Sequence, residues 1–278
     1  MTVAAPRRPG AVRPHWHYSA RQIAWAGVDV ILTPHCGGCE RRGHRFCPAC
    51  RTSLRYLRPP LCEQCGDPIQ AAGLCPSCRV GAPAASPLSG LRSAAFFEGP
   101  LQKALHGLKY KRDIILADTL AQVLFEAWPA LALPGDLVVP IPLSAERLHE
   151  RGYNQAGLLA RAFAELAGLP FAPAGAARTR HTASQVGLSS DMRYVNVRGA
   201  FRAERRLVAG RSVVLVDDVC TTGATLSACA EALRAAGAAA VWGFTLARAT
   251  TFRMRSGPAR PAQPGTALPM VGPEDTRA

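Results

Sequence analysis

Eight of the ten cysteines stand in four CxxC pairs, Cys36/Cys39, Cys47/Cys50, Cys62/Cys65 and Cys75/Cys78, packed into 43 residues. Residues 34–79 hold few large apolar side chains and cannot easily build a core unaided, so a cross-link has to hold them. A CxxC turn aims two sulfurs to one side, and two such turns complete the tetrahedron that zinc accepts without ligand-field preference. Seven residues separate the first two pairs, nine the last two, and eleven lie between Cys50 and Cys62. That spacing favours two consecutive sites, Cys36/Cys39/Cys47/Cys50 and Cys62/Cys65/Cys75/Cys78, over a crossed arrangement. Gly37, Gly38 and Gly66 sit at the turns, where backbone NH groups must approach sulfur. Disulfides and an iron–sulfur cluster are the competing readings, the first disfavoured by an intracellular setting. A closed four-sulfur zinc site has no open coordination position, so its expected role is structural.

Charge narrows the partners. The chain of 278 residues has 33 basic and 19 acidic side chains, a formal +14 that favours polyanions: nucleic acid, phosphorylated ligands or an anionic surface. Residues 1–80 alone carry eleven arginines against Asp29, Glu40, Glu63 and Asp67, a formal +7. Two sites of four thiolates and one dication would lower this to about +3. No run of 18 apolar residues occurs, and the first 20 residues carry Arg7, Arg8, Arg13, His15 and His17 without an apolar signal segment. The expectation is a cytoplasmic protein with no membrane span.

The chain divides by composition. Residues 1–20 read as a disordered basic arm, a solvated tail or a nucleic-acid contact. Residues 21–80 read as a double zinc ribbon led by a short amphipathic helix over 21–33, and 80–90 as a small-residue linker. From 91 to 248 helical patterns alternate with apolar strands, which predicts an α/β domain built on a parallel sheet. Leu101, Leu105 and Leu108 mark a helix ending near Lys109, Lys111 and Arg112. Further helices are expected over 114–128, 154–167 and 223–236, and strands over 136–142, 212–218 and 239–247. Residues 176–200 lack a clean period and read as a long functional loop. Residues 249–278, rich in Pro, Gly and Arg, read as a disordered tail.

The most specific chemistry lies in VVLVDDVCTTGAT, residues 213–225. An apolar strand runs into two carboxylates, Asp217 and Asp218, and then a turn that opens a helix. Backbone NH groups and the hydroxyls of Thr221, Thr222 and Thr225 converge there, and Gly223 permits close approach, which suits a phosphate. Carboxylates at a strand end can accept from ribose hydroxyls or hold hydrated magnesium. A helix cap beside a surface acidic pair is the plain alternative. Cys229 reads as a small core residue and Cys220, in the loop, as a candidate reactive thiol.

The string resembles the 5-phosphoribosyl-1-pyrophosphate (PRPP) signature of type I phosphoribosyltransferases. The four CxxC pairs followed by LKYKRD (108–113), VPIPLSAERLHERGYNQA (139–156), SQVGLSSDMRYVNVRGAF (184–201) and LVDDVCTTGAT (215–225) resemble the ComF family of competence and GntX-like proteins, over about residues 30–248. The resemblance implies the phosphoribosyltransferase fold, PRPP bound with magnesium, and two structural zinc ions. It would place Asp217 and Asp218 on the ribose hydroxyls, and Thr221, Thr222, Gly223, Ala224 and Thr225 around the 5-phosphate. Lys109, Lys111, Arg147, Arg151 and Asn154 become candidate pyrophosphate or partner contacts, against the plain reading of a solvated helix end and a solvated i, i+4 face. Gln185, Arg193 and Asn196 fall in the hood over the substrate, residues 178–196. Purine-salvage transferases carry an acidic residue where this chain has Thr221, so a purine acceptor is disfavoured and the acceptor is left open. A second function is implied by competence: single-stranded DNA or DNA-uptake proteins bound through Arg41, Arg42, Arg45, Arg51, Arg55 and Arg58, with Phe46 and Tyr56 as stacking platforms.

Overall fold

The computed structural model describes residues 16–31, 33–81, 86–131, 133–180 and 196–249. Arm residues 1–15, tail residues 250–278 and the 181–195 part of the hood, with Gln185 and Arg193, lie outside the described residues.

A four-stranded parallel sheet organises the chain. Its strands are β1 (Gly90–Phe96), β2 (Leu137–Pro140), β5 (Ser212–Cys220) and β6 (Ala240–Arg248), in the order β1-β6-β5-β2. Both faces are covered, which is why β2, β5 and β6 read as near-continuous apolar runs. Val214, Val216, Phe244 and Leu246 face one core, while Val213, Leu215 and Val241 face the other. The first core is roofed by helices α4 (Gly99–Tyr110), α5 (Leu116–Leu131) and α7 (Gln155–Ala167). Leu116, Leu120, Val123, Leu124, Ala127 and Leu131 of α5 recur at helical spacing and are all buried. Trp128, Phe163 and Phe244 close this core with ring centroids 5.1, 5.3 and 5.5 Å apart. The second core lies under α9 (Ala224–Ala235) and the antiparallel pair β3 (Ala176–Arg178) and β4 (Phe201–Ala203), which is followed by the short α8 (Arg205–Val208).

The leading helix is longer than its sequence pattern. α1 runs Trp16–Ile31, so residues 16–20 of the expected arm are helical. Two anchors explain this: the buried Tyr18 hydroxyl donates to the Asp118 carbonyl at 3.2 Å, and Arg21 bridges Asp118 on α5 and Glu165 on α7, at 2.7 Å each.

The cysteine-rich segment is not a separate bead. Residues 55–57 run antiparallel along β1, with Leu57 NH donating to Ala94 O and Phe96 NH to Arg55 O, both at 2.9 Å. Cys36, Phe46, Cys47, Cys50, Leu54 and Leu57 share the core of α4 and α5. The ribbon's own helices are single turns, α2 (Pro48–Thr52) and α3 (Pro76–Gly81). Between β2 and α7, the seven residues of α6 (Ala145–Arg151) are capped by Ser144, whose hydroxyl accepts from Arg147 NH, and stopped by Gly152 in the left-handed region.

Among the described residues, no helix is long and apolar enough to cross a membrane.

Candidate functional site: two zinc centres and a phosphate-loop pocket

The eight paired cysteines assemble in the consecutive manner. Cys36, Cys39, Cys47 and Cys50 form one cluster and Cys62, Cys65, Cys75 and Cys78 the other, with all sulfurs of a cluster within 4.8 Å of one another. A tetrahedron of ~2.3 Å Zn–S bonds has edges of about 3.8 Å. The Cys36–Cys50, Cys39–Cys47 and Cys65–Cys75 sulfur separations are 3.7, 3.6 and 3.7 Å, which fits one zinc per cluster. They are far too long for the ~2.05 Å of a disulfide. A four-iron cluster would seat each cysteine on a different metal atom and spread the sulfurs.

Backbone geometry prepares the thiolates. Gly38 NH and Cys47 NH donate to Cys36 Sγ at 3.4 and 3.2 Å. Burial alone would raise the Cys36 and Cys62 thiols, but NH groups and the neighbouring Cys39 and Cys65 side chains hold these two below the ordinary thiol value, while burial raises Cys50, Cys65 and Cys78 in the same clusters. A Cβ on Gly38 would come within 2.9 Å of Cys50 Sγ, so only glycine fits that turn.

The second centre of chemistry opens at the carboxyl ends of the parallel strands, the edge where ligands bind in open α/β sheets. β5 ends at Cys220, and Thr221, Thr222 and Gly223 turn the chain into α9. Gly223 has φ +79, a left-handed backbone that a side chain disfavours. Thr221 and Thr222 are exposed, and Thr222 Oγ1 accepts from Ala224 NH at 3.4 Å. The amino end of a twelve-residue helix thus faces a pocket of about 640 Å³, a size ordinary for small-molecule sites.

Asp217 and Asp218 form the acidic floor. Asp218 is nearly buried, and Lys109 from the last turn of α4 reaches it at 2.6 Å. Burial pushes the Asp217 carboxyl well above the usual carboxylate range; the neighbouring Asp218 charge adds to the rise and Lys109 opposes it. Arg147, Arg151 and Arg178 line the same pocket. Arg151 stacks over Tyr110 at 5.3 Å and Arg178 over Phe201 at 5.5 Å. Burial lowers the Arg178 guanidinium from its ordinary value, Arg147 adds to this, and Asp217 opposes it. One wall is therefore cationic and faces two carboxylates and a helix amino end, an arrangement suited to a phosphorylated polyol held with a divalent cation.

Several sequence expectations land elsewhere. Lys111 is exposed, pairs with Glu40 at 3.4 Å and does not line the pocket. Asn154 spends its side-chain NH2 on the Ile141 carbonyl at 2.9 Å, which fixes the loop after β2 rather than reaching the pocket. Cys220 is buried and its thiol is pushed up to about 11 by that burial, so the candidate reactive thiol is an inert one. Phe46 is buried in the core, which removes one stacking platform, while Tyr56 is half-buried and its hydroxyl donates to Glu126 at 3.3 Å. Arg45, Arg51 and Arg55 form ion pairs with Asp29, Glu126 and Glu98. Arg178 lines the pocket without standing out in the sequence. Its signal is an arginine following the small apolar run AGAA at the start of the hood segment.

Comparison with known proteins gives this architecture a class. Residues 27–79 match the double zinc ribbon domain and residues 148–261 the phosphoribosyl transferase domain, so the chain is a zinc-ribbon protein with a phosphoribosyltransferase-like domain. It is 35% identical over 210 residues to the DNA utilization protein YhgH of Escherichia coli, covering 73% of this chain and 90% of that one. Competence protein F of Haemophilus influenzae is 30% identical over 225 residues, 77% of this chain and 96% of the relative. The chain belongs to the ComF family. Among solved structures, the allosteric regulatory enzyme of purine biosynthesis aligns at 28% identity with a TM-score of 0.32, over 46% of this chain and 25% of that one.

Proposed function

We propose that this chain is a phosphoribosyltransferase-like protein that binds PRPP with magnesium in the β5–α9 pocket. One observation carries the reading: a phosphate loop and an acidic pair at one strand end face a cationic wall of Lys109, Arg147, Arg151 and Arg178. The loop residues Thr221 to Thr225 would hold the 5-phosphate, with the α9 amino end adding its partial positive charge. Asp217 and Asp218 would accept from the ribose hydroxyls. The residues fit magnesium, because a dication would offset the desolvation cost and the like-charge repulsion that raise Asp217. Bound magnesium would supply charge neutralisation of the pyrophosphate. The arginines would stabilise the charge that develops as pyrophosphate leaves C1.

Thermal unfolding tests this directly. Ligand at 100 times its Kd adds ~2.7 kcal/mol, which for a chain of this size raises Tm by about 5–10 °C. PRPP with magnesium should give that shift, and ribose 5-phosphate, lacking the group that meets the arginines, a smaller one. No shift with PRPP and magnesium contradicts the proposal.

A second reading, binding of single-stranded DNA, is motivated by the DNA-utilization and competence relatives and by the exposed Arg41, Arg42 and Arg58 on the ribbons. The pairing of the other three ribbon arginines and the burial of Phe46 weaken it. Binding whose affinity falls steeply with salt would favour it, and salt-insensitive or absent binding would count against it.

A further inference from the structure

The second ribbon and the phosphate loop meet at one buried guanidinium. Arg248 is the last residue of β6, is 7% exposed, and stands in register beside Cys220, the residue before Thr221. Its Nε pairs with Asp67 Oδ1 at 2.5 Å, and its Nη1 donates to the Cys65 carbonyl at 2.7 Å. The same Nη1 lies 3.7 Å from Cys220 Sγ, while Ala249 NH donates to the Cys220 carbonyl at 2.9 Å. One side chain therefore spans a zinc-ligand residue and the start of the loop.

The surrounding packing follows the same path. Leu91 NH donates to the Gln64 carbonyl at 2.9 Å, and a Cβ on Gly66 would fall 2.3 Å from Leu91 O, so the Cys62/Cys65 turn is seated tightly on β1. A cavity of about 240 Å³ lies between ribbon and loop, lined by Gln64, Cys65, Cys78, Thr222, Gly223 and Ser227. The first ribbon rests elsewhere, with Arg51 on Glu126 of α5, Arg55 on Glu98, and Gly37 against Leu116.

We infer that Arg248 is a positioning residue through which zinc in the second ribbon, and not zinc in the first, fixes the phosphate loop. A buried guanidinium requires a carboxylate and filled acceptors around it. Asp67 supplies the charge, and it is held two residues from Cys65 by the turn that zinc closes. Losing that zinc releases the turn and withdraws both oxygen acceptors together. The guanidinium, left without those acceptors, then turns toward water and leaves Cys220, so the strand end that launches Thr221 to Thr225 loses its support. The ligand arm of the inference rests on the PRPP reading; the structural arm does not.

The test compares Arg248→Gln, Asp67→Asn, Cys78→Ser and Cys39→Ser in the full chain. It reads zinc per chain, alkylation of Cys220 by peptide mass spectrometry with buried Cys229 as control, and Kd for PRPP with magnesium. Arg248→Gln and Asp67→Asn should keep two zinc ions. Both should speed Cys220 alkylation and weaken PRPP binding by about tenfold, equivalent to ~1.4 kcal/mol. Cys78→Ser should do the same after losing one zinc, whereas Cys39→Ser should lose one zinc and leave Cys220 protected. Protection of Cys220 in the first two variants, or equal exposure in Cys39→Ser, overturns the inference. If the unaltered protein does not bind PRPP, the pocket reading fails and alkylation alone decides the relay. Should Arg248→Gln not fold, Asp67→Asn, altered at a side chain 44% exposed, decides it.

Discussion

Replacing Lys109 by Gln removes a cation in direct contact with the acidic floor. The ion pair to Asp218 spans 2.6 Å, with side-chain exposures of 22% for Lys109 and 7% for Asp218. Exposed pairs contribute ~0–1 kcal/mol, and breaking a fully buried pair costs about 3–5 kcal/mol. A half-shielded lysine on a nearly buried carboxylate lies between them, so a loss of ~2 kcal/mol is expected, or about 4–8 °C in Tm for a chain of this length. The sign with pH follows from Asp217. Its carboxyl is raised by burial and by Asp218, so its ionisation opposes folding. Stability contributed by such a group is complete below the unfolded value of ~3.9 and is lost as pH rises through the raised folded value. Removing Lys109 raises Asp217 further, so the gap in Tm between variant and parent should widen from pH 4.5 to pH 7.5. Magnesium should narrow the gap at the higher pH by substituting for the missing charge. Differential scanning fluorimetry in zinc-containing buffer reads all of this. A Tm loss below about 1 °C, equal at both pH values, would refute the claim that Lys109 neutralises the pair.

Further outcomes follow from other parts of the structure. Gly223→Ala forces a side chain into a left-handed position at φ +79 and should cost about 1–2 kcal/mol, with weakened PRPP binding in calorimetry. Arg178→Ala should weaken PRPP binding about tenfold, as loss of one charge-assisted contact does, while Lys111→Ala, outside the pocket, should change it less than about twofold. Elemental analysis of the purified chain should give two zinc ions, and one after Cys39→Ser, because the two clusters share no ligand.

Much of the domain was legible because its signals are local. The runs VVLV and LVV and the spacing of Leu101, Leu105 and Leu108 need no knowledge of partners to read as buried elements. β1 was not legible as a strand. GLRSAAF mixes Gly, Arg, Ser and Ala, and its burial depends on distant chain: Ser93 Oγ meets Thr245 Oγ1 at 2.6 Å, and Gly90 leaves room for Trp242. The three-residue strands β3 and β4 are too short to show a period. At the candidate site, the loop and acidic pair could be read because one continuous strand–turn–helix carries them. The cationic wall could be read only in part. Arg147 and Arg151 follow a recognisable string, but Arg178 reaches the pocket through the β3–β4 pairing, which the local pattern does not encode. Lys111 and Asn154 have suitable chemistry and suitable positions in sequence, yet an acidic ribbon residue takes one and a backbone carbonyl the other.

In the proposed function, Asp217 and Asp218 complete a PRPP pocket with the loop that follows them. Calorimetric titration of the zinc-loaded chain with PRPP and magnesium, beside the double variant Asp217→Asn/Asp218→Asn, tests it most directly. Saturable, magnesium-dependent binding by the parent and none by the variant is the expected outcome, with both chains retaining two zinc ions. Equal binding by the two, or none by the parent, would contradict it.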